Sequence, residues 1–396
     1  MAGNASGASS PAKLMTAAWA GMFVFGVVMA VLGAILPSLF ERIGFNEAAA
    51  GTLFLTMNFA MLVMTLAFGP LVDRFGFKAL LAVCALLVAG AFLLLNRASN
   101  YSLVLAAAVV LGFGGGGLNG GTNALTSDIN PENRGAALNV LGIAFGFGAL
   151  TIPFLIGALL RSLGLGTILL LATLLGLVPL ALFLAFRFPR AKQAQGFPLR
   201  QAAKVVGHPL LWLCAFVLFF QSGNEFTAGG WLSTHLQKTF RVPPSAAALV
   251  LAGYWGAVMA GRLLQARIGG RAGGQRVVLA GAGLALAAAV LLAVAPSGPP
   301  AMAGAVALGL GFSTIYPTTL AIVGESFPAF TGTAFSVVIA VGLAGGMIAP
   351  WLVGRIAQES SLRRGFLVPV VNCAMIFVLL VWLRRRSGKH AVPVAE

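Results

Sequence analysis

The sequence predicts an all-α integral membrane protein of twelve transmembrane helices, arranged as two pseudo-symmetric six-helix halves. Three observations carry that prediction. The 396 residues are 59% hydrophobic and only 9% charged, whereas soluble domains are roughly a quarter charged. Such a chain cannot clothe a water-facing surface, so its apolar residues must face lipid. Twelve apolar runs have about the 20 residues a helix needs to cross the hydrocarbon. The second half of the chain also repeats landmarks of the first.

The runs cover approximately 16–38, 49–71, 78–96, 103–126, 136–159, 165–186, 209–233, 246–265, 276–295, 301–323, 331–354 and 365–383. Charges and helix breakers punctuate them, as at Glu41-Arg42, Asp73-Arg74, Asn130-Pro131-Glu132, Pro243-Pro244, Pro299-Pro300 and Arg363-Arg364. Residues 1–13 are small and polar and end in Lys13. The first run is too long for a signal-peptide core of roughly 7–15 residues, so it is expected to stay as span one. Gly, with 51 residues, is enriched as in membrane helices.

Orientation follows from the lysines and arginines of the loops. With both termini cytoplasmic, roughly two thirds of the 25 Lys and Arg fall on the cytoplasmic side. An odd number of spans would break this asymmetry. The longest connection, 187–208, is basic and separates a first half, 14–186, from a second half, 209–386. Short tails, 1–13 and 387–396, complete the division.

The repeat is plainest around spans four and five. At a constant offset of 197 residues, Asp128 meets Glu325, Pro131 meets Pro328, Gly135 meets Gly332 and Asn139 meets Ser336. Pro153 then meets Pro350, and Gly157 meets Gly354. Runs of Gly and Ala can imitate glycine matches, but not both prolines. Two parallel six-helix repeats place a substrate site near the bilayer midplane between halves.

Composition also excludes. A charge of +16 on a soluble protein suggests nucleic acid, but here the basic residues sit in short loops between spans, so no nucleic-acid partner is expected. Cys84, Cys214 and Cys373 lie inside apolar runs without metal-ligand spacing. They read as packing residues, and no metal or cofactor is expected. His208, His235 and His390 lie near span ends and do not cluster, and no nucleophile–base pair is legible. An enzyme is therefore not expected.

Gly69-Pro70-Leu71-Val72-Asp73-Arg74-Phe75-Gly76-Phe77-Lys78 follows span two. Glycines permit a tight turn and close helix approach, and Asp73 can cap a helix N-terminus. This stretch resembles the signature loop of the major facilitator superfamily, and Asp128 to Gly135 after span four is similar to another of its patterns. The resemblance spans the whole chain. It implies the major facilitator fold, alternating access, a monomer, and a multi-pass position in the plasma membrane, here the bacterial inner membrane. It also implies gating roles for Asp73, Arg74, Asp128 and Arg134. In the second half Glu325 keeps the acid, Thr331 replaces the arginine, and Glu325 with Arg262 forms the candidate latch.

Polar side chains in mid-span need a protein or water partner, because lipid offers none. Span four carries Asn119 and Asn123, four apart and on one face. Span five adds Asn139, and span two Asn58. Singly, each amide is as well read as glue between helices. Span seven is richer, with Gln221, Asn224 and Glu225 within Phe219–Trp231. An acid at the bilayer centre costs about 2.5–3.5 kcal/mol on insertion scales, so Glu225 must face a cavity or a partner. It can carry a coupling proton or hold a sodium ion. Amides bracketing an acid suit sugar hydroxyls, and aromatic residues suit the apolar face of a sugar ring. Trp255 on span eight and Tyr316 on span ten are the expected walls, with Tyr254 beside them. Trp231 and Trp351 fit packing or the interfacial belt.

Four stretches resemble the fucose-type sugar symporters and their glucose-transporting relatives. These are Leu118-Asn119-Gly120-Gly121-Thr122-Asn123, the stretch from Leu138-Asn139 through Phe147-Gly148-Ala149, the triad Gly223, Glu225 and Trp231, and Ala344-Gly345-Gly346-Met347-Ile348-Ala349-Pro350. The resemblance implies a small sugar as substrate, held by Asn119, Asn123, Asn139, Gln221, Asn224, Trp255 and Tyr316. Two acids of that family are missing. Span one offers only Gly33 and Ala34 before Pro37, and Asn119 stands where span four would carry an acid. Coupling through Glu225, coupling through a cation and uncoupled facilitation all stay open. A multidrug or amphiphile exporter of the same fold is the alternative, and a membrane sensor or scaffold the more distant one.

Overall fold

The computed structural model describes residues 9–130, 132, 134–188, 206–272, 274–327 and 331–387. Most of the expected linker 187–208 and of both tails therefore lies outside the described residues. Every regular element among the described residues is an α-helix, with no strand.

The helices are α1 (Pro11–Ile43), α2 (Glu47–Arg97), α3 (Tyr101–Ile129), α4 (Arg134–Ala185), α5 (Pro209–Phe240), α6 (Pro244–Ala272), α7 (Gly274–Val294), α8 (Gly298–Phe312), α9 (Ile315–Ser326), α10 (Thr331–Glu359), the single turn α11 (Leu362–Gly365) and α12 (Leu367–Ser387). Ten described helical stretches are long and apolar enough to cross a membrane. Two of these are far too long for one crossing: α2 has 51 residues and α4 has 52. At 1.5 Å per residue each would run about 75 Å, more than twice the hydrocarbon thickness.

Both are broken by a glycine. Gly76 adopts φ 77°, ψ 161° and Gly164 φ 70°, ψ 160°, a backbone that only glycine enters without strain. Contacts show that each chain doubles back at its break. Arg42, at the end of α1 and next to the start of α2, donates to the Leu95 carbonyl at the far end of α2 (2.8 Å). Beyond Ala185, Arg187 N donates to Ser9 Oγ (2.9 Å), just ahead of α1. At the α4 entry, Asn130 Nδ2 points at Met15 Sδ near the start of α1 (3.2 Å). We take each doubled helix as two spans, the reading that the expected count of twelve requires.

By packing, the chain forms two compact units, one of Met1–Gly196 with Gly229–Gly256 and one of Phe197–Ala228 with Ala257–Glu396. Sequence alone divides the chain at the linker. Packing instead groups the last part of α5 and the first part of α6 with the N-terminal helices.

Each unit is held by helices whose backbones touch at glycine. In the first unit a Cβ at Gly148 would collide with the Phe23 carbonyl oxygen, and one at Gly26 with the Phe145 carbonyl. In the second, a Cβ at Gly345 would collide with the Phe219 carbonyl. Gly148 and Gly345 are related by the 197-residue offset, as are Pro153 in α4 and Pro350 in α10. The sequence repeat is thus a repeat of packing. A buried apolar cluster including Leu211, Leu218, Val323, Val338 and Leu383 adds to the second unit. Phe59, Leu66, Leu86 and Val378 are more than half exposed, as suits side chains facing lipid.

One span departs from its expected form. The run 301–323 reads as continuous, but α8 ends at Phe312 and α9 starts at Ile315. Pro317 supplies no N–H to the carbonyl four residues back, that of Ser313, and its ring crowds that carbonyl. The helix opens there.

Overpacking a tight contact typically costs about 1–3 kcal/mol. Gly148→Leu and Gly345→Leu are therefore expected to lower the melting temperature of the detergent-solubilised protein. Gly142→Leu, where a Cβ meets nothing within 4 Å, is the control and is expected to leave it unchanged.

Candidate functional site

The second unit gathers the densest set of polar groups. Gly223 faces α10, where a Cβ would lie 3.2 Å from the Gly345 carbonyl. An α-helix turns about 100° per residue, so Glu225, two residues on, points to the other side. Gln221 lies one turn before Glu225 on the same face. Its Nε2 donates to Glu225 Oε1 (2.9 Å) and lies 3.4 Å from the Phe312 carbonyl at the α8–α9 break. Non-helical backbone at membrane depth is tolerated where protein covers it, and the break gives α5 an acceptor to hold.

Arg262 Nη2 stands 3.9 Å from Glu225 Oε1, with side-chain exposures of 29% for Arg262 and 13% for Glu225. Tyr316, half-buried on α9, lies within electrostatic range of both. Gln265, one turn beyond Arg262, donates to Thr318 Oγ1 (2.7 Å). Asn224 is buried and directs Nδ2 at Cys373 Sγ on α12 (3.3 Å). Several acceptors here have no hydrogen-bond partner among the described residues: Gln221 Oε1, Asn224 Oδ1 and Thr314 Oγ1.

The first unit holds the remaining expected site residues. Asn123 Nδ2 donates to the Asn119 carbonyl (2.8 Å) and to Asn119 Oδ1 (3.0 Å), which locks the two amides together on α3. Asn139 is exposed on α4. Trp255 is buried on α6, edge-on to Phe145 at 6.0 Å, and its Nε1 has no partner among the described residues. Tyr254 is buried next to it, and Trp231 packs on Phe54. Of the expected substrate residues, Gln221, Asn224 and Tyr316 thus lie with Glu225 in the second unit, and Asn119, Asn123, Asn139 and Trp255 in the first.

A model of the Major Facilitator Superfamily matches residues 18–298 and, in a second match, 211–396.

The chain belongs to the Major Facilitator Superfamily.

It is a multi-pass membrane transporter, and transporters of this superfamily bind small-molecule substrates within the membrane. It is 26% identical over 381 residues to an uncharacterized MFS-type transporter of Yersinia pestis, covering 92% of this chain and 93% of that one. It is 31% identical over 172 residues to the 4-hydroxybenzoate transporter of Pseudomonas aeruginosa, covering 43% of this chain and 38% of that one. The crystal structure of a D-xylose–proton symporter superposes with a TM-score of 0.77 at 16% identity, covering 95% of this chain and 97% of that one. That likeness shows the shared fold.

The superfamily loop takes the expected tight form, with Gly76 at its turn. Asp73 and Arg74 are exposed, and Arg74 lies 5.3 Å from the Phe75 ring. Lys78 closes the loop by donating to the Leu184 carbonyl (2.7 Å). Asp128 is half-buried at the end of α3 and Glu325 exposed near the end of α9. The side chain of Arg134 lies outside the described residues. Arg262 differs from expectation: its ion-pair partner is Glu225, and among the described residues no ion pair joins it to Glu325. The expected span eight, 246–265, puts Arg262 at its cytoplasmic end, where its charge counts with those of the following loop. Instead α6 continues to Ala272, and Arg262 stands well inside it. The apolar pair Leu263-Leu264 directly after Arg262 is the signal that could have found this.

A second pair is also absent from the sequence reading. Lys238 Nζ lies 2.5 Å from Glu47 Oε1 and 4.1 Å from the centroid of Phe40. It ties the end of α5 to the end of α1 and the start of α2 within the first unit. An exposed pair of this kind is worth roughly 0–1 kcal/mol, weak enough to open and close reversibly.

A hydrogen bond to a charged group contributes about 1.5–3 kcal/mol, a neutral one about 0.5–1.5. Gln221→Leu is therefore expected to lower the melting temperature in detergent more than Asn123→Leu. Equal losses would deny Gln221 its place beside a charged Glu225.

Proposed function

We propose that this transporter moves a small polar solute, a sugar or similar polyol, by alternating access, and couples its movement to a proton through Glu225. The observation that carries this reading is the setting of Glu225, in the membrane interior with Arg262 and Gln221 against it. An ion pair inside hydrocarbon is costly to assemble, and in a transporter such pairs mark ion and substrate routes. The surrounding open acceptors on Gln221, Asn224 and Thr314 suit hydroxyl donors. Tyr316 supplies an aromatic face, and Asn119, Asn123 and Trp255 offer a second polar group in the first unit.

Among coupling ions the proton fits better than sodium. Hard cations are held by shells of oxygen ligands, whereas the groups in contact with Glu225 Oε1 are nitrogen donors. The proton-coupled D-xylose symporter of the same fold supports the same choice. The exporter alternative needs a solitary acid that holds cationic amphiphiles. Arg262 already supplies the counter-charge here. We place the monomeric transporter in a bacterial inner membrane with both termini cytoplasmic, as the loop charges indicate.

Radiolabelled sugars offered to proteoliposomes, with and without proton and sodium gradients, test this. Proton-driven accumulation of at least one sugar is expected in the wild type. Glu225→Gln is expected to abolish accumulation while exchange at equal concentrations survives. Transport of apolar cations alone would overturn the sugar reading in favour of the exporter.

A further inference from the structure

Arg262 is under-used by the protein itself. A guanidinium carries five N–H donors in a rigid planar fork. Its ion-pair partner among the described residues, Glu225, stands at 3.9 Å, beyond hydrogen-bond distance. Glu225 Oε1 is bonded by Gln221 instead, at 2.9 Å. Arg262 Nε is buried and has no hydrogen-bond partner among the described residues. A buried donor left unmet carries its full desolvation penalty, and the penalty is larger on a charged group. The side chain is still 29% exposed, so a ligand can reach it. The chemistry that completes such a fork is a planar oxyanion bound through two parallel N–H groups.

Charge balance narrows the anion. Glu225 and Arg262 together are neutral. A monocarboxylate on Arg262 leaves one surplus negative charge, and a single proton on Glu225 removes it. A phosphate dianion leaves a further charge stranded in a low-dielectric site, at a cost of several kcal/mol. Three other buried groups of this unit without a partner among the described residues, Gln221 Oε1, Asn224 Oδ1 and Thr314 Oγ1, are two amide oxygens, which only accept, and a hydroxyl, which accepts and donates. The amide oxygens repel an anion and take hydroxyl donors. One end of the ligand must then be anionic and the rest hydroxylated.

We infer that the site selects a hydroxylated monocarboxylate of the sugar-acid class, with its carboxylate on the Arg262 fork and its hydroxyls on the amide and threonine acceptors. This rests on the sugar-transport reading above and narrows it. The carboxylate displaces Glu225 as the partner of Arg262, and Glu225 takes up one proton as the anion enters. Transport is then electroneutral, one anion with one proton.

D-glucuronate and D-glucose differ only by a carboxylate in place of a hydroxymethyl group, so they form the probe pair. Calorimetric titration of the purified protein in detergent, repeated in buffers of different ionisation enthalpy, reads both affinity and proton uptake. Wild type is expected to bind D-glucuronate about tenfold or more tighter than D-glucose, taking up one proton per anion. Arg262→Lys keeps the positive charge beside Glu225 but loses the fork. It is expected to erase the preference while D-glucose binding persists. An Arg262 that only neutralises Glu225 predicts that Arg262→Lys behaves as wild type. That result would overturn the inference, as would D-glucose binding as tightly as D-glucuronate, or anion binding without proton uptake in the wild type. Each of these leaves the sugar reading standing. If neither compound binds, both readings fall.

Discussion

Hydrocarbon offers no hydrogen bonds, and most of this molecule follows from that single property of its solvent. Backbone groups must be satisfied within each helix, so the described spans are helices, and where α8 gives way to α9 the Phe312 carbonyl is met by Gln221. Helices cannot be driven together by excluding apolar surface, since lipid is equally apolar. They meet instead where glycine lets one backbone touch another, as Gly148 does at Phe23 and Gly345 at Phe219. The same solvent makes every buried polar side chain conspicuous. Most of them answer to a nearby carbonyl, such as Asn58 to Phe54 (2.8 Å) and Thr122 to Leu118 (2.8 Å). The group around Glu225 and Arg262 is different, because it sets a carboxylate and a guanidinium 3.9 Å apart.

That group is assembled from several independent backbone constraints. The α5–α10 glycine contact sets the rotation of α5 and so the direction of Glu225. Gly261, against which a Cβ would collide with Ser313, brings α6 onto the α8–α9 break and Arg262 with it. Pro317 opens the break, and the Phe312 carbonyl there receives Gln221. Three small-residue or proline positions thus place two charges in the membrane interior. Function in this account comes from where the regular helix is tightest and where it fails.

The fold was legible because its signal is coarse. Apolar run length, breakers and the 197-residue repeat need no knowledge of contacts, and the positive-φ turns at Gly76 and Gly164 fall in the gaps between expected spans. The site was legible only in part. Glu225, Gln221 and Asn224 stood out because polarity inside an apolar run is rare. Arg262 stood out only as the candidate latch partner of Glu325, because a cation near the end of an apolar run looks like a loop residue until the helix is seen to continue. Lys238 and Glu47 are 191 residues apart, and nothing local links them. The α8–α9 break was readable in principle from Pro317, but the uninterrupted hydrophobicity around it hid the signal. The grouping of Gly229–Gly256 with the N-terminal helices depends on packing between distant segments, which periodicity does not encode.

Exchanging the charges of Glu225 and Arg262 tests whether the two side chains are partners. Thermal stability and folded yield would be measured for Glu225→Arg, for Arg262→Glu and for the two together. Each single reversal sets like charges about 4 Å apart, a repulsion of about 4 kcal/mol at an effective dielectric constant of about 20. The account predicts that both single variants lose folded protein and that the double variant recovers most of it. Single variants as stable as the wild type, or a double variant no better than the worse single one, would contradict it.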